Sequence, residues 1–136
     1  MATLKLEIVT PEAIAYSEDV DFVTLPGSEG ELGVFPRHVP VLTSIKPGEL
    51  RVLKDGRESF LAVGEGFVEI KADAVSVLTD MALESAQIDT AAAEAAVERA
   101  KAAMKEDHSA EEVAAIQASL QKALAQLRVK RRRHHG

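Results

Sequence analysis

Residues 1–86 alternate apolar and polar side chains in short runs. Leu4, Leu6 and Ile8 alternate with Lys5 and Glu7, a pattern typical of a strand with one buried face. Further apolar runs, rich in β-branched residues, begin near positions 20, 50, 60, 67 and 75. Short runs at this spacing predict an all-β sandwich or barrel.

One β-hairpin is predicted with particular clarity. Asp55-Gly56 lies between the apolar runs 50–53 and 60–63. Both residues tolerate a positive φ angle, which a two-residue hairpin turn needs. A weaker turn signal lies near Ala72.

The amino-acid composition of the chain changes after Ala86. Every proline and nearly every glycine precede this point, and the later residues are rich in alanine. We therefore expect two domains, a β-sandwich at 1–86 and an α-helical antiparallel hairpin at 87–136.

The two helices of the hairpin have recognisable ends. Asp89 or Thr90 is expected to cap the first helix, which we expect to run to about Met104. Ser109 and Glu112 have the spacing of a capping box at the start of the second.

The helix faces predict a thin contact between the two helices. The first helix presents mostly small residues on the expected inner face: Ala92, Ala96, Ala100 and Ala103. The second has an apolar stripe: Val113, Ile116, Leu120, Leu124 and Leu127. Because such a seam buries little apolar area, the arm is expected to be marginally stable and able to open.

Charge is distributed unevenly. Residues 1–86 carry 15 acidic and 7 basic side chains, whereas residues 87–136 carry 7 acidic and 9 basic ones. An acidic body is not expected to bind nucleic acid, which needs clustered cations.

The chain has no cysteine, so it forms no disulfide. Its start lacks the pattern of a signal peptide. No apolar run approaches the roughly 20 residues that span a bilayer.

The glycine-rich segment 27–33 is the first candidate site. It lacks the Gly-Lys-Ser/Thr ending of a phosphate loop, and two glutamates, Glu29 and Glu31, would repel phosphate. A shaped docking loop is favoured. A hydrolase that uses Glu31 and His38 is the least favoured interpretation of the function, because it would require those side chains to converge in a pocket.

The basic C-terminal run is the second candidate site. It contains five cations: Arg128, Lys130, Arg131, Arg132 and Arg133. It can be a solvated helix end, a tip that pairs with an acidic protein surface, or a patch for nucleic acid or anionic lipid. No aromatic residue interleaves the run to stack on bases. His134 and His135 can bind metal, but a frayed end is favoured and no metal is expected.

Several segments in order resemble the epsilon-subunit family of bacterial F-type ATP synthases. The most specific one reads GSEGELGVFPRHVPVLT at 27–43 and is followed by IKPG at 45–48. Four later segments resemble strands and helices of the family: 63–69, 75–80, 88–89 and 123–129. The resemblance covers essentially the whole chain.

The resemblance implies a sandwich of about ten strands followed by a helical hairpin. It also implies a non-catalytic central-stalk subunit of a proton-translocating ATP synthase, peripheral at the cytoplasmic face of the bacterial inner membrane. The implied partners are the gamma subunit, the c-ring and the catalytic beta and alpha subunits, without nucleic acid. Contact with the membrane is expected only through the complex.

The resemblance also implies roles for both candidate sites. The loop that docks on the c-ring and gamma is expected to contain Gly27, Ser28, Glu29, Gly30, Glu31 and His38. The basic end is expected to approach acidic segments of the catalytic subunits when the hairpin extends, and to inhibit ATP hydrolysis.

Some family members bind ATP on the folded hairpin through the motif Ile/Leu-Asp-x-x-Arg-Ala. Here the segment reads Ile88-Asp89-Thr90-Ala91-Ala92-Ala93, so an alanine stands in the arginine position. The missing charge-assisted hydrogen bond is worth about 1.5–3 kcal/mol. At this degenerate site (Ile88, Asp89, Ala92, Ala93) we expect weak ATP binding, if any, and no cofactor.

A competing interpretation is a free-standing adaptor. Its β domain would bind one partner, and its basic arm would bind nucleic acid or an acidic protein. Recovery of native partners separates the two, because only a stalk subunit co-purifies with gamma in a fixed ratio.

Overall fold

The computed structural model describes residues 2–132. Ten strands come first: β1 Leu4–Val9, β2 Ile14–Val20, β3 Phe22–Gly27, β4 Gly30–Val34, β5 Val41–Ile45, β6 Gly48–Lys54, β7 Arg57–Val63, β8 Gly66–Ile70, β9 Ala74–Thr79 and β10 Ala82–Glu84. A short 3₁₀ helix at Ser85–Gln87 leads to helices α1 Thr90–Ala103 and α2 Ala110–Arg132. The expected all-β sandwich of about ten strands followed by a two-helix hairpin is confirmed. No helix in residues 2–132 is long and apolar enough to cross a membrane.

The strands form one sheet that folds over itself. Its order is β10-β7-β6-β3-β5-β8-β9-β1-β2, and β4 pairs with β3 as an additional hairpin strand. All neighbours are antiparallel except β1 and β9, which are parallel. The two halves enclose a core of alternate strand residues that includes Leu6, Ile8, Leu50, Leu61 and Val77.

The hairpin predicted at Asp55-Gly56 is present between β6 and β7. Asp55 has a φ of 52° and Gly56 a φ of 77°, as a two-residue turn with two positive φ angles requires. The amide of Asp55 also donates to the carboxylate of Asp21 at 2.9 Å.

Both helix caps form as the sequence predicts. The carboxylate of Asp89 accepts a hydrogen bond from the amide of Ala92 at 3.1 Å, at the start of α1. At the start of α2, the Ser109 amide donates to the Glu112 carboxylate at 2.9 Å, and the Glu112 amide donates to the Ser109 hydroxyl at 3.2 Å. The hydrogen bond from the Ser109 amide, together with the Ser109 side chain beside the same carboxylate, lowers the pKa of the Glu112 carboxyl group.

The faces of the helices agree with the prediction only in part. Of the four alanines expected on the inner face of α1, Ala100 is buried and Ala96 and Ala103 are half-buried, but Ala92 is exposed. Helix α1 also buries Ala93 and Val97. The stripe on α2 is only partly buried, and its buried residues are Ala123, Ala125 and Val129. The reason is that α2 packs on two neighbours, α1 and the outer face of β6 and β7. A helix with two partners buries a wider face than one apolar stripe indicates.

Candidate functional site

A row of exposed apolar side chains crosses the outer face of the sheet. The strand register places Phe67 opposite Leu78, Leu78 opposite Val9, and Val9 opposite Ile14. We call these four residues the apolar row. Phe67 and Ile14 are each 62% exposed, Leu78 is 56% exposed, and Val9 between Leu78 and Ile14 is half-buried. Large apolar side chains aligned on a rigid sheet are typical of a surface that another protein covers.

The surroundings of the row are polar. Ser44 lies at one end, opposite Phe67. The next row of side chains on the same face contains Leu42, which is 74% exposed, and then Glu69, Ser76 and Glu7. An apolar centre with a polar and acidic border is the usual composition of a protein interface.

Part of the predicted docking loop borders this row. Ser28, Glu29, Gly30 and Glu31 are exposed around the turn between β3 and β4, where Gly30 has a φ of 126°. The amide of Ser28 donates to the carbonyl of Ser44 at 3.1 Å, and the two hydroxyls are hydrogen-bonded as well. Because Ser44 lies at the end of the apolar row, the acidic turn and the row form one continuous surface.

The other members of the predicted loop have structural positions. Gly27 is buried at the end of β3, where an added Cβ would lie 2.7 Å from the carbonyl oxygen of Gly30. His38 is half-buried in the connection before β5, and its Nδ1 lies 2.6 Å from the carbonyl oxygen of Val39.

The structure gives no support to a hydrolase built on Glu31 and His38. Within residues 2–132, no hydrogen bond or ion pair joins these two side chains, and neither residue lines any of five well-defined cavities. No cluster of metal-binding side chains is found in the same range.

The hairpin, which we call the arm, lies against the sandwich. A small apolar cluster joins them, formed by Ala62 of β7, Ile88, and Ala125 and Val129 of α2. An ion pair between Lys122 and Asp80, at 3.2 Å, supports the contact. All four apolar residues are 5% exposed or less, but two of them are alanines, so the stabilisation by burial is small.

The basic end of α2 is largely engaged with the sandwich. Arg128 and Arg132 both pair with Glu49 of β6, and the Arg132 guanidinium lies 4.7 Å from the centre of the Phe60 ring. The hydrogen bond to Glu49 raises the pKa of Arg132. Lys130 donates to the carbonyl of Ser85 at 2.9 Å.

Only part of the predicted basic tip therefore points to solvent. Arg131 is exposed, and its side chain donates to the carbonyl of Leu127 in its own helix. Arg133 lies outside the described residues, as do His134 and His135. Sequence reasoning missed Glu49, which looks like any other polar residue of a strand.

Three of the four residues of the degenerate ATP motif have structural roles here. Ile88 packs in the seam between arm and sandwich, Asp89 caps α1, and Ala93 is buried. Ala92 is exposed one turn into α1. A groove beside them is lined by Thr90 and Glu94 of α1 and by Leu127, Lys130 and Arg131 of α2.

Comparisons with known proteins agree on one family. The family model for the ATP synthase delta/epsilon chain β-sandwich domain matches residues 3–85. The model for the long α-helix domain of the same chain matches residues 86–131. The resemblance found in the sequence is thereby confirmed.

Curated relatives match over nearly their full length. The ATP synthase epsilon chain of Laribacter hongkongensis is 45% identical over 130 residues, covering 94% of this chain and 93% of the relative. That of Dehalococcoides mccartyi (strain CBDB1) is 43% identical over 137 residues, covering 98% of each.

Solved structures share the fold at lower identity. A chain of the Euglena gracilis mitochondrial ATP synthase (OSCP/F1/c-ring) superposes with a TM-score of 0.79 at 23% identity, covering 94% of this chain and 81% of that one. A chain from the Tetrahymena thermophila mitochondrial ATP synthase central stalk and c-ring gives a TM-score of 0.62 at 11% identity, covering 93% and 96%. Because two family models match in chain order and relatives above 40% identity cover both domains, this chain belongs to the ATP synthase delta/epsilon chain family.

Proposed function

We propose that this chain is a non-catalytic central-stalk subunit of an F-type ATP synthase that links the gamma subunit to the c-ring. Its helical arm restrains ATP hydrolysis by the catalytic beta and alpha subunits. The protein is peripheral at the cytoplasmic face of the bacterial inner membrane, held there by the complex. The observation that carries the docking part of this proposal is the apolar row on the outer face of the sheet.

The position of the row supports a rigid docking contact. Three of its residues stand on strands β8, β9 and β1, whose opposite faces supply the core residues Val68, Val77 and Ile8. The fourth stands on β2, where Tyr16 packs against the same core. Side chains on such a scaffold lose little conformational entropy on binding, which favours a stable interface. The row therefore suits a partner that stays bound, as gamma does in a stalk.

The acidic turn next to the row supplies the second contact. Glu29 and Glu31 are exposed at the β3–β4 hairpin, so they are free to meet polar groups of a second partner. We assign Glu31 to the side of the c-ring loops, and His38 to the side of gamma. A surface that joins an apolar row to a charged turn can contact two subunits at once.

Cysteine crosslinking tests this arrangement. The chain has no native cysteine, so a cysteine at position 31 is the only thiol that this chain brings to the complex. We expect Glu31→Cys to crosslink to the polar loop of the c-ring, and a control, Glu106→Cys at the exposed tip of the arm, not to do so. Crosslinks from position 31 only to catalytic subunits would show that the orientation is wrong.

Recovery of native partners tests the wider assignment. The chain is expected to pull down gamma in a fixed ratio from a membrane fraction, as identified by mass spectrometry. A free-standing adaptor would instead be recovered without gamma, with nucleic acid or unrelated proteins on its basic arm. That result would overturn the stalk assignment, whatever the crosslinks show.

Nucleotide binding by the isolated protein should be weak. Ala92 supplies no cation for a phosphate chain, and the Asp89 carboxylate already accepts the Ala92 amide. Relative to a site with the motif arginine, affinity should fall by roughly 10- to 150-fold. Calorimetry with ATP and magnesium measures this, and Ala92→Arg should tighten binding.

The control for that experiment lies beside the motif. Thr90→Arg adds the same charge to the first turn of α1 but not at the motif position, and it should tighten binding less than Ala92→Arg. A dissociation constant in the low micromolar range for the unmodified chain would contradict the prediction. It would mean that other cations, such as Lys130 and Arg131 in the neighbouring groove, hold the phosphates.

A further inference from the structure

Glu49 occupies an unusual position for a carboxylate. It lies on the outer face of β6, opposite Ala62 of β7, and the arm covers both residues. Its side chain is only 15% exposed. Glutamates are seldom buried to this extent without cationic partners, because desolvation disfavours the charge.

Two arginines of α2 supply those partners. Arg128 and Arg132 are four residues apart, so they lie on one face of the helix. The Nε of Arg128 lies 3.5 Å from one oxygen of Glu49. Arg132 donates from two of its nitrogens, with Nη2 at 3.2 Å from the same oxygen and Nε on the other oxygen.

Arg132 also contacts an aromatic ring of the sandwich. Its guanidinium lies over the Phe60 ring, so one side of the cation faces an aromatic surface while its edge faces the carboxylate. Two-point hydrogen bonding and stacking are arrangements that suit arginine and would not suit lysine. Arg131, the residue immediately before Arg132, carries the same charge but donates instead to the carbonyl of Leu127 in its own helix.

We propose that Glu49, Arg128, Arg132 and Phe60 form a latch that holds the arm on the sandwich and withholds the inhibitory cations from their partner. This inference rests on the proposed function and deepens its regulation. Latching and inhibition exclude each other, because the same guanidinium groups cannot pair with Glu49 and with a partner's carboxylates. Loss of Glu49 should therefore strengthen inhibition, whereas loss of the cations weakens it.

The latch can be measured on the isolated full chain. Ala62 is fully buried under the arm, so Ala62→Cys creates a single thiol that reacts only when the arm lifts. Glu49→Gln should accelerate its modification by roughly 5- to 30-fold, as expected for losing a charge-assisted contact. Arg132→Gln should have a similar effect, and the double variant should exceed neither single variant by much.

Two controls separate latch release from other causes. Arg131→Gln removes the same charge one residue away and should change the rate by less than about twofold, since exposed charges contribute little. A thiol at Val77, in the sandwich core, reports global unfolding and should not react faster in any variant. Ala125→Cys, on the arm side of the seam, repeats the measurement if a thiol at position 62 disturbs packing.

The outcome also separates the latch from the proposed function. In the assembled complex, Glu49→Gln should lower ATP hydrolysis, whereas Lys105→Gln, at an exposed cation outside the basic run, should leave it unchanged. Equal thiol rates for Glu49→Gln, Arg131→Gln and the parent chain would overturn the latch even if the arm inhibits. Faster thiol reaction without any change in hydrolysis would keep the latch as the holder of the arm but would overturn its link to inhibition. The arm's inhibitory role itself fails only if removal of the basic run leaves hydrolysis unchanged.

Discussion

Replacing Phe67 with aspartate should detach the chain from its assembly while leaving its fold intact. Phe67 is 62% exposed in the isolated chain, and its neighbours in the row are Leu78 on one side and Ser44 on the other. A partner that covers the row would bury an unpaired carboxylate where it now buries a ring. Such changes at the centre of an interface cost about 3–5 kcal/mol, which lowers affinity by roughly 150- to 4,000-fold.

The fold should tolerate the change because the core lies on the opposite face. Val68 and Ile70, the inward residues of β8, are untouched, and an aspartate on a strand costs about 1 kcal/mol or less. Co-purification with gamma and the thermal unfolding midpoint of the isolated chain measure the two effects separately.

A matched control and a milder variant sharpen this test. Met104→Asp places the same charge on an exposed apolar residue at the tip of the arm, away from the row, and should leave co-purification intact. Phe67→Ser removes the ring without adding charge and should weaken association less than the aspartate does. If Phe67→Asp still binds gamma in full amount, then the apolar row is not the docking contact.

Much of the local structure could be predicted because it depends on neighbours in sequence. The turn at Asp55-Gly56 requires only two residues that tolerate positive φ, and the capping box requires only Ser109 and Glu112. The outward direction of Phe67 could also have been deduced. It alternates with the buried Val68 and so shares a face with Glu69, although the row itself depends on the register between strands.

The arm was predicted less well because its burial depends on distant residues. The spacing of small residues favoured Ala92 on the inner face, whereas packing against α2 buries Ala93 and Val97 instead. Glu49 gave no signal at all, since its partners are about 80 residues away in sequence. Long-range pairs of this kind follow from how the arm lies on the sheet and not from any local pattern.

Removing residues 128–136 should raise ATP hydrolysis by the assembled complex while leaving assembly intact. The deletion takes away all five cations of the basic run, whereas the apolar row and the acidic turn lie elsewhere. Exposed ion pairs contribute about 0–1 kcal/mol each, so several acting together are needed to shift the inhibited fraction by roughly tenfold or more. Single changes at Arg131 should have small effects, and inhibition should weaken as salt rises.

The deletion has a second effect that a matched variant separates. It also removes Val129 and both latch arginines, so the shortened arm should leave the sandwich more often. Changing all five cations to glutamine keeps Val129, and it should raise hydrolysis as the deletion does. Changing Lys101 and Lys105, exposed cations at the other end of the arm, should not. If neither the deletion nor the glutamine variant hydrolyses ATP faster, in preparations free of inhibitory ADP, then the basic run is only a solvated helix end. In that case Glu49 holds an arm whose position has no bearing on catalysis.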